Sequence, residues 1–237
     1  MKQISNAFII GGLFGVVGQL FIFGWTALLG QGNQLVNPLT MVTMGVLGLI
    51  LFLTGIAPKL EERTTMGVTI PISGMVIAIG GVTFGVKMES GSAGTGALIS
   101  VILSTVLWFA THGALEIPSD GSSMGPLLDV VLSFVVGGAI AAIAESIMLA
   151  TKAPIPVLLI VFIVVGAIMA AFNLDALPFM NNGGFIVSLF AAGQAAYETF
   201  QVLLMGITPI PFITVLCVYL SVTVLGILAG LLRKPAQ

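Results

Sequence analysis

The chain has 237 residues, of which 58% are hydrophobic and only 7% are charged, and its formal net charge is −2. A soluble domain carries about 25% charged residues, so this composition excludes a water-soluble globular protein. The near-neutral charge gives no basis for nucleic-acid binding. The single cysteine, Cys217, excludes a disulfide framework and a cysteine-rich metal site.

Eight apolar stretches follow one another along the chain, and each is close to the roughly 20 residues that a membrane-spanning helix needs. They cover residues 7–30, 38–57, 66–86, 95–113, 128–150, 154–173, 183–206 and 207–232. None alternates apolar and polar residues as a spanning β-strand would. The sequence therefore predicts an all-α, polytopic transmembrane helical bundle of about eight membrane segments, with short loops between them.

The third stretch, 66–86, is the exception to a regular spanning helix. Pro71 lies inside it, and Ser73 and Gly74 follow closely. A proline inside a helix removes a backbone hydrogen bond and kinks the helix. Membranes accept such a break only where protein or water covers the freed groups. This segment is therefore predicted to be either a broken helix or a re-entrant one.

The distribution of Lys and Arg predicts the orientation of the chain. If all eight stretches span, one side collects five basic residues and the other collects two. The five are Lys2, Lys59, Arg63, Arg233 and Lys234, and the two are Lys87 and Lys152. By the positive-inside rule, the sequence predicts a multi-pass protein of the inner cell membrane with both termini in the cytoplasm.

An internal repeat is suggested by the segment 8–12, Phe-Ile-Ile-Gly-Gly, which returns as Phe-Val-Val-Gly-Gly at 134–138. At the same offset, 145 − 19 = 126, Gln19 corresponds to Glu145. Apolar glycine-rich sequences also match by chance, so coincidence is the alternative. A duplication predicts two four-helix halves of one integrated membrane domain, and an even number of helices per half makes the repeats parallel. The predicted halves are 1–126 and 127–237.

Small residues line one face of several predicted helices. The residues predicted to pack helices together are Gly11, Gly12, Gly15, Gly18, Gly137 and Gly138. Small side chains at this spacing allow two helix backbones to approach closely.

Two carboxylates lie inside apolar stretches, Glu145 in the fifth and Glu198 in the seventh. A charge at mid-membrane costs roughly 2.5–3.5 kcal/mol on insertion scales, so each must face the bundle interior, water or a partner. Gln19 and Gln194 are their candidate hydrogen-bond partners. The acids either line a substrate path or act as neutral groups that bridge helices.

No motif for an enzyme is present: the sequence lacks a nucleotide loop, paired metal ligands and a nucleophile motif. We therefore expect a non-enzymatic protein without a metal site and without a cofactor.

Two motifs resemble the stage V sporulation AC/AE membrane proteins. Residues 6–21, which begin Asn-Ala-Phe-Ile-Ile-Gly-Gly and continue to Gly-Gln-Leu-Phe, are similar to the opening helix of that family. Residues 70–75, Ile-Pro-Ile-Ser-Gly-Met, resemble its Val-Pro-hydrophobic-Thr-Gly-Phe signature, with Ser73 and Met75 replacing Thr and Phe. The resemblance covers about residues 6–113, whereas family members are about half as long as this chain.

The resemblance implies a membrane component of spores that moves dipicolinic acid with calcium during sporulation and germination. We therefore expect a channel or transport component for a small anionic solute, embedded in the lipid bilayer together with other complex subunits or further copies of itself. The candidate path residues are Gln19, Pro71, Ser73, Gly74, Glu145, Gln194 and Glu198. The alternatives are a structural or assembly subunit without a path, and a proton-coupled carrier that uses Glu145 and Glu198.

Overall fold

A computed structural model describes residues 1–71, 125–174, 177, 180–207 and 210–232, and no β-strand occurs in these ranges. Helices make up most of the described chain. They are α1 (Lys2–Leu29), α2 (Val36–Leu53), α3 (Ile56–Glu61), α4 (Met66–Thr69), α5 (Pro126–Thr151), α6 (Ile155–Ala171), α7 (Gly183–Ile186), α8 (Leu189–Leu204) and α9 (Ile210–Leu232).

Four of the described helices are long and apolar enough to cross a membrane, namely α1, α2, α5 and residues 210–228 of α9. The all-helical, polytopic membrane architecture predicted from composition is therefore confirmed. The predicted segment at 95–113 and most of that at 66–86 lie outside the described residues.

Helices α1 and α5 form the most extensive helix contact of the described chain, and glycines make it possible. A Cβ placed on Gly12 would lie 2.7 Å from the carbonyl oxygen of Phe134, and one on Gly138 would lie 2.6 Å from that of Phe8. The rings of Phe8 and Phe134 meet edge to face, with centroids 5.7 Å apart. Only residues without a Cβ allow two backbones to come this close.

The contacts between α1 and α5 run in opposite directions along the two helices. Phe8 touches Gly138, Gly12 touches Phe134 and Gln19 touches Ser133, so the partner number falls as the number on α1 rises. The helices are therefore antiparallel. The Phe8–Gly138 and Gly12–Phe134 contacts exchange with each other when the two helices exchange roles, which makes the pair locally two-fold symmetric about an axis perpendicular to the helices.

The parallel orientation predicted for the repeats is wrong at this pair, because α1 and α5 are antiparallel. Two antiparallel spanning helices must be separated by an even number of crossings. Eight uninterrupted crossings would place three crossings between α1 and α5. The alternative in which residues 66–86 form a re-entrant segment leaves two.

Helices α6 and α8 also pack closely through glycines. Gly166 of α6 lies against the backbone of Phe190, and Gly193 of α8 lies against that of Ile163, so α6 and α8 are also antiparallel. Helix α9 packs on α2 and α8, and its Val218 and Val222 belong to a buried apolar cluster that also contains residues of α2, α5 and α6.

We expect Gly12→Ala and Gly138→Ala to destabilise the protein by similar amounts. Each new methyl group would push against a backbone carbonyl oxygen of the opposite helix, and overpacking of this kind costs about 1–3 kcal/mol. The control is Gly24→Ala on the same helix, which has nothing within 4 Å. It should stabilise slightly, because alanine favours a helix over glycine. Thermal unfolding in detergent measures all three, and equal effects of Gly12→Ala and Gly24→Ala would contradict the packing.

Single cysteines at Gln31 and at Thr151, in a Cys217→Ser background, should react with a membrane-impermeant maleimide from opposite faces. Gln31 follows the end of α1 and Thr151 ends α5, so an antiparallel pair places them on opposite sides. Eight uninterrupted crossings would place both on one side. Labelling of both from the same face of oriented vesicles would therefore refute the antiparallel arrangement in the membrane.

Candidate functional site

Two short helices begin in the protein interior and each is followed by a break in the backbone. Helix α4 has four residues and leads to Pro71, and α7 has four residues and leads to Ser188. Pro71 and Ser188 pair with each other as an isolated antiparallel bridge, and both are buried. The break that the sequence indicates near Pro71 thus has a counterpart at Ser188 that the sequence did not indicate.

The start of α4 is held by Glu145 of α5. Its Oε2 accepts a hydrogen bond from the backbone amide of Met66 at 2.8 Å and another from the Thr64 hydroxyl at 2.9 Å. Glu145 is fully buried. Its second oxygen, Oε1, has no hydrogen-bond partner within the described ranges. The carboxylate therefore caps the positive end of a short helix with one oxygen and leaves the other unpaired.

The start of α7 is held in the same manner by Gln19 of α1. Its Oε1 accepts a hydrogen bond from the backbone amide of Gly183 at 2.7 Å and another from the Ser133 hydroxyl at 2.9 Å. Gln19 is buried, with 4% of its surface exposed. A neutral amide thus provides at α7 what a carboxylate provides at α4.

The two acceptor side chains, the amides that they cap and the two bridge residues correspond under the local two-fold axis, whereas the hydroxyl donors Thr64 and Ser133 do not. Glu145 and Gln19 differ by 126, the offset of the repeated Phe-x-x-Gly-Gly segments. The first residues of the short helices, Met66 and Gly183, differ by 183 − 66 = 117, and the bridge partners Pro71 and Ser188 also differ by 188 − 71 = 117. The bridge therefore joins two equivalent positions and lies on the axis itself.

Close backbone contacts obey the same correspondence. A Cβ on Gly67 would lie 3.0 Å from the Cα of Ala7 on α1, and one on Gly184 would meet the carbonyl oxygen of Ser133 on α5. Ala7 and Ser133 differ by 126 and the two glycines by 117. Helix α4, which is capped from α5, thus packs against α1, and α7, which is capped from α1, packs against α5.

The glycines that sequence reasoning assigned to helix packing do lie at these contacts. Gly15 and Gly18 of α1 touch the α7 segment, and Gly11 and Gly137 touch each other's helix. Together with Gly12 and Gly138 they let α1, α5 and the two short helices meet without intervening side chains.

The remaining predicted path residues are not brought to this place by the described structure. Gln194 donates a hydrogen bond to Glu198 at 2.7 Å within α8, which packs mainly on α6 and α9. Ser73 and Gly74 lie outside the described residues. Glu198, suggested with Glu145 as a relay acid, lies on α8 beside Gln194, whereas Glu145 lies on α5 and caps α4.

Sequence reasoning missed the residues that start the two short helices. The Asn182 side chain accepts hydrogen bonds from the amides of Gly184 and Phe185, and the Thr64 hydroxyl accepts one from Gly67. Thr and Asn are preferred at helix starts. A Thr or Asn followed within three residues by Gly, inside an otherwise apolar stretch, was the signal that could have located both.

No group of three or more His, Cys, Asp or Glu side chains that could hold a metal ion occurs in the part of the chain that the structure describes.

Residues 3–117 match the model of the SpoVAC/SpoVAEB sporulation membrane protein family. The match confirms the resemblance that the motifs at 6–21 and 70–75 indicate, and it ends shortly before α5 begins. No curated protein and no solved structure matches the chain.

We expect Gln19→Leu to destabilise the protein strongly. It would leave the buried Gly183 amide without its acceptor, and an unsatisfied buried group of this kind costs about 1–3 kcal/mol. The Ser133 hydroxyl would keep the Asp129 carbonyl oxygen as an acceptor. Gln3→Leu, an exposed position on the same helix, is the matched control and should have little effect. The melting temperature in detergent measures both, and a tolerated Gln19→Leu would show that this hydrogen bond is dispensable.

Proposed function

We propose that this chain, whose first half matches sporulation membrane proteins, is a non-enzymatic transport component for a small anionic solute. The family match indicates a membrane role in spores, and dipicolinic acid with calcium is the cargo that the resemblance implies. The observation that carries the proposal is the pair of equivalent helix breaks that meet at the Pro71–Ser188 bridge.

A broken backbone at membrane depth is tolerated only where protein buries it or where it lines a water-filled cavity. Transporters use such breaks in inverted repeats, and their substrate sites lie at the repeat interface near the midplane. The breaks after α4 and α7 have this symmetry, because they are related by the axis that relates α1 to α5. We therefore place the path along the axis, next to Pro71 and Ser188.

An anionic solute is consistent with the chemistry at the short helices. Their amides point toward acceptors, and Glu145 already presents a carboxylate oxygen to the Met66 amide. A positive helix end favours negative charge. Residues 71–74 are our proposed contact for the solute, together with Ser188 across the bridge.

The localisation we propose is the inner cell membrane, with the amino terminus in the cytoplasm. The Asn6 side chain donates to the Arg63 carbonyl oxygen, so the basic residues at 59–63 lie beside the start of α1 and Lys2. The antiparallel pair adds Lys152, at the end of α5, to this same face. A cytoplasmic carboxyl terminus remains a prediction, and so do partner subunits or self-association.

A proton-coupled carrier is the second candidate, and one observation favours it. Glu145 is a fully buried acid whose described partners are a hydroxyl and a backbone amide rather than a basic side chain. A buried intramembrane acid is a functional hypothesis by default. A purely structural or assembly subunit is the third, and only a transport measurement distinguishes it.

The test is dipicolinate flux in liposomes that contain the purified protein, alone and with candidate partner subunits. We expect flux that rises with protein content. Flux that is independent of a proton gradient supports a channel, and gradient-driven uptake supports a carrier. Absence of flux for dipicolinate and other small anions, with partners present, would leave the structural role.

The same liposomes test the location of the path. In a Cys217→Ser background, Ser188→Cys should react with a charged, water-soluble thiol reagent and lose most of its flux. Leu220→Cys, on the exposed apolar face of α9, is the control and should keep its flux. Unchanged flux after complete modification of Ser188→Cys would place the path elsewhere.

A further inference from the structure

The two symmetric capping positions hold different chemistry, and this difference points to a binding site. Gln19 and Glu145 have the same shape, and one oxygen of each accepts a hydrogen bond from the first backbone amide of a short helix and another from a hydroxyl group. Capping α4 therefore needs only an amide, as α7 demonstrates. The carboxylate at Glu145 adds one property that capping does not require, which is an oxygen able to take up a proton.

We propose that Glu145 Oε1 is a proton-binding site reached from the face of the membrane where the amino terminus lies, and that Gln19 marks the equivalent position from which this site is absent. The proposal rests on the proposed transport function and deepens it. It assigns proton coupling to Glu145 alone, on the side of the amino terminus, and not to a relay of Glu145 and Glu198.

Proton uptake at this site is a simple step. A hydronium ion transfers a proton to Oε1, an O–H bond breaks in the hydronium ion and one forms on Glu145, and water leaves. The charge of the side chain changes from −1 to 0. Oε2 keeps the Thr64 hydroxyl and the Met66 amide as donors in both states, so α4 stays capped.

A proton fits this site better than a metal cation does. Glu145 offers one unpartnered oxygen, whereas a calcium ion takes about six to eight oxygen ligands. No cluster of three metal-ligating side chains occurs in the described ranges.

Few other charges face Glu145 from the described elements packed against α5, which are α1, α4, α6 and α7. Helix α1 carries only Lys2, Arg63 precedes α4, and α4, α6 and α7 carry no charged residue. Lys2 and Arg63 are exposed, and Arg63 is adjacent to the Thr64 that binds Glu145. The hydrogen-bond donor of the acid, Thr64, is therefore the sequence neighbour of an exposed residue on the face where the amino terminus lies.

The equivalent position faces the other side. Gln19 touches Ser133, which is twelve residues (145 − 133) before Glu145 on α5, so the two positions are about 18 Å apart along the helix axis. Asn181, adjacent to the cap residue Asn182, is the exposed residue there. Exchange of the two side chains would move the acid to the opposite face while conserving both caps.

The first measurement is independent of transport. Infrared difference spectra of the whole protein between acidic and alkaline buffer should contain a carboxylic-acid carbonyl band that Glu145→Gln removes. Asp129→Asn, another buried acid of α5, and Glu198→Gln should both retain that band. Absence of the band from the unaltered protein would overturn the proposal, and so would persistence of the band in Glu145→Gln. The first of these outcomes does not depend on whether Glu145→Gln folds.

The second measurement uses dipicolinate in oriented liposomes. One coupled proton allows about tenfold accumulation per pH unit across the membrane. Glu145→Gln should abolish this accumulation, and the exchange variant Gln19→Glu/Glu145→Gln should restore proton binding from the opposite face. Accumulation that survives Glu145→Gln and is lost in Glu198→Gln would overturn the assignment. A Glu145 band without flux in any variant would refute the transport function and leave the proton site standing.

Discussion

Two backbone amides, at the first residues of α4 and α7, need acceptors in a part of the molecule where water is scarce. An unpaired amide in such surroundings costs several kcal/mol, so neither short helix can start there without a side-chain oxygen of the long helices. Gln19 and Glu145 supply those oxygens. Each of the two side chains therefore holds the start of a short helix that leads to the Pro71–Ser188 bridge.

The side chains reach the short helices only because the backbones are close. Gly11 and Gly12 on α1 and Gly137 and Gly138 on α5 have no Cβ at the crossing, where each lies against the backbone of the opposite helix, and this allows the two long helices to pack closely. Gly67 and Gly184 do the same for the short helices. The polar contacts and the glycine faces therefore depend on each other, since a larger side chain at the crossing would withdraw the acceptors from the amides.

Composition was sufficient for the helical membrane class, and the glycines predicted to pack helices lie at close helix contacts. Composition was not sufficient for the orientation of the repeat. The relative direction of two helices depends on whether the number of membrane crossings between them is odd or even. A re-entrant stretch has the same composition as a stretch that crosses, so composition alone does not give that number. The break at Ser188 could not be predicted either, because no proline marks it.

The antiparallel pairing of α1 and α5 has a consequence for how such a protein can diversify. Two separate copies of a single half could form the same pair only by inserting into the membrane in both orientations, and every position would then carry the same residue on both sides. A single chain that contains both helices need not carry the same residue at the two equivalent positions. An amide at residue 19 and an acid at residue 145 can then coexist. A backbone with local two-fold symmetry can thus present different side-chain chemistry toward the two faces of the membrane.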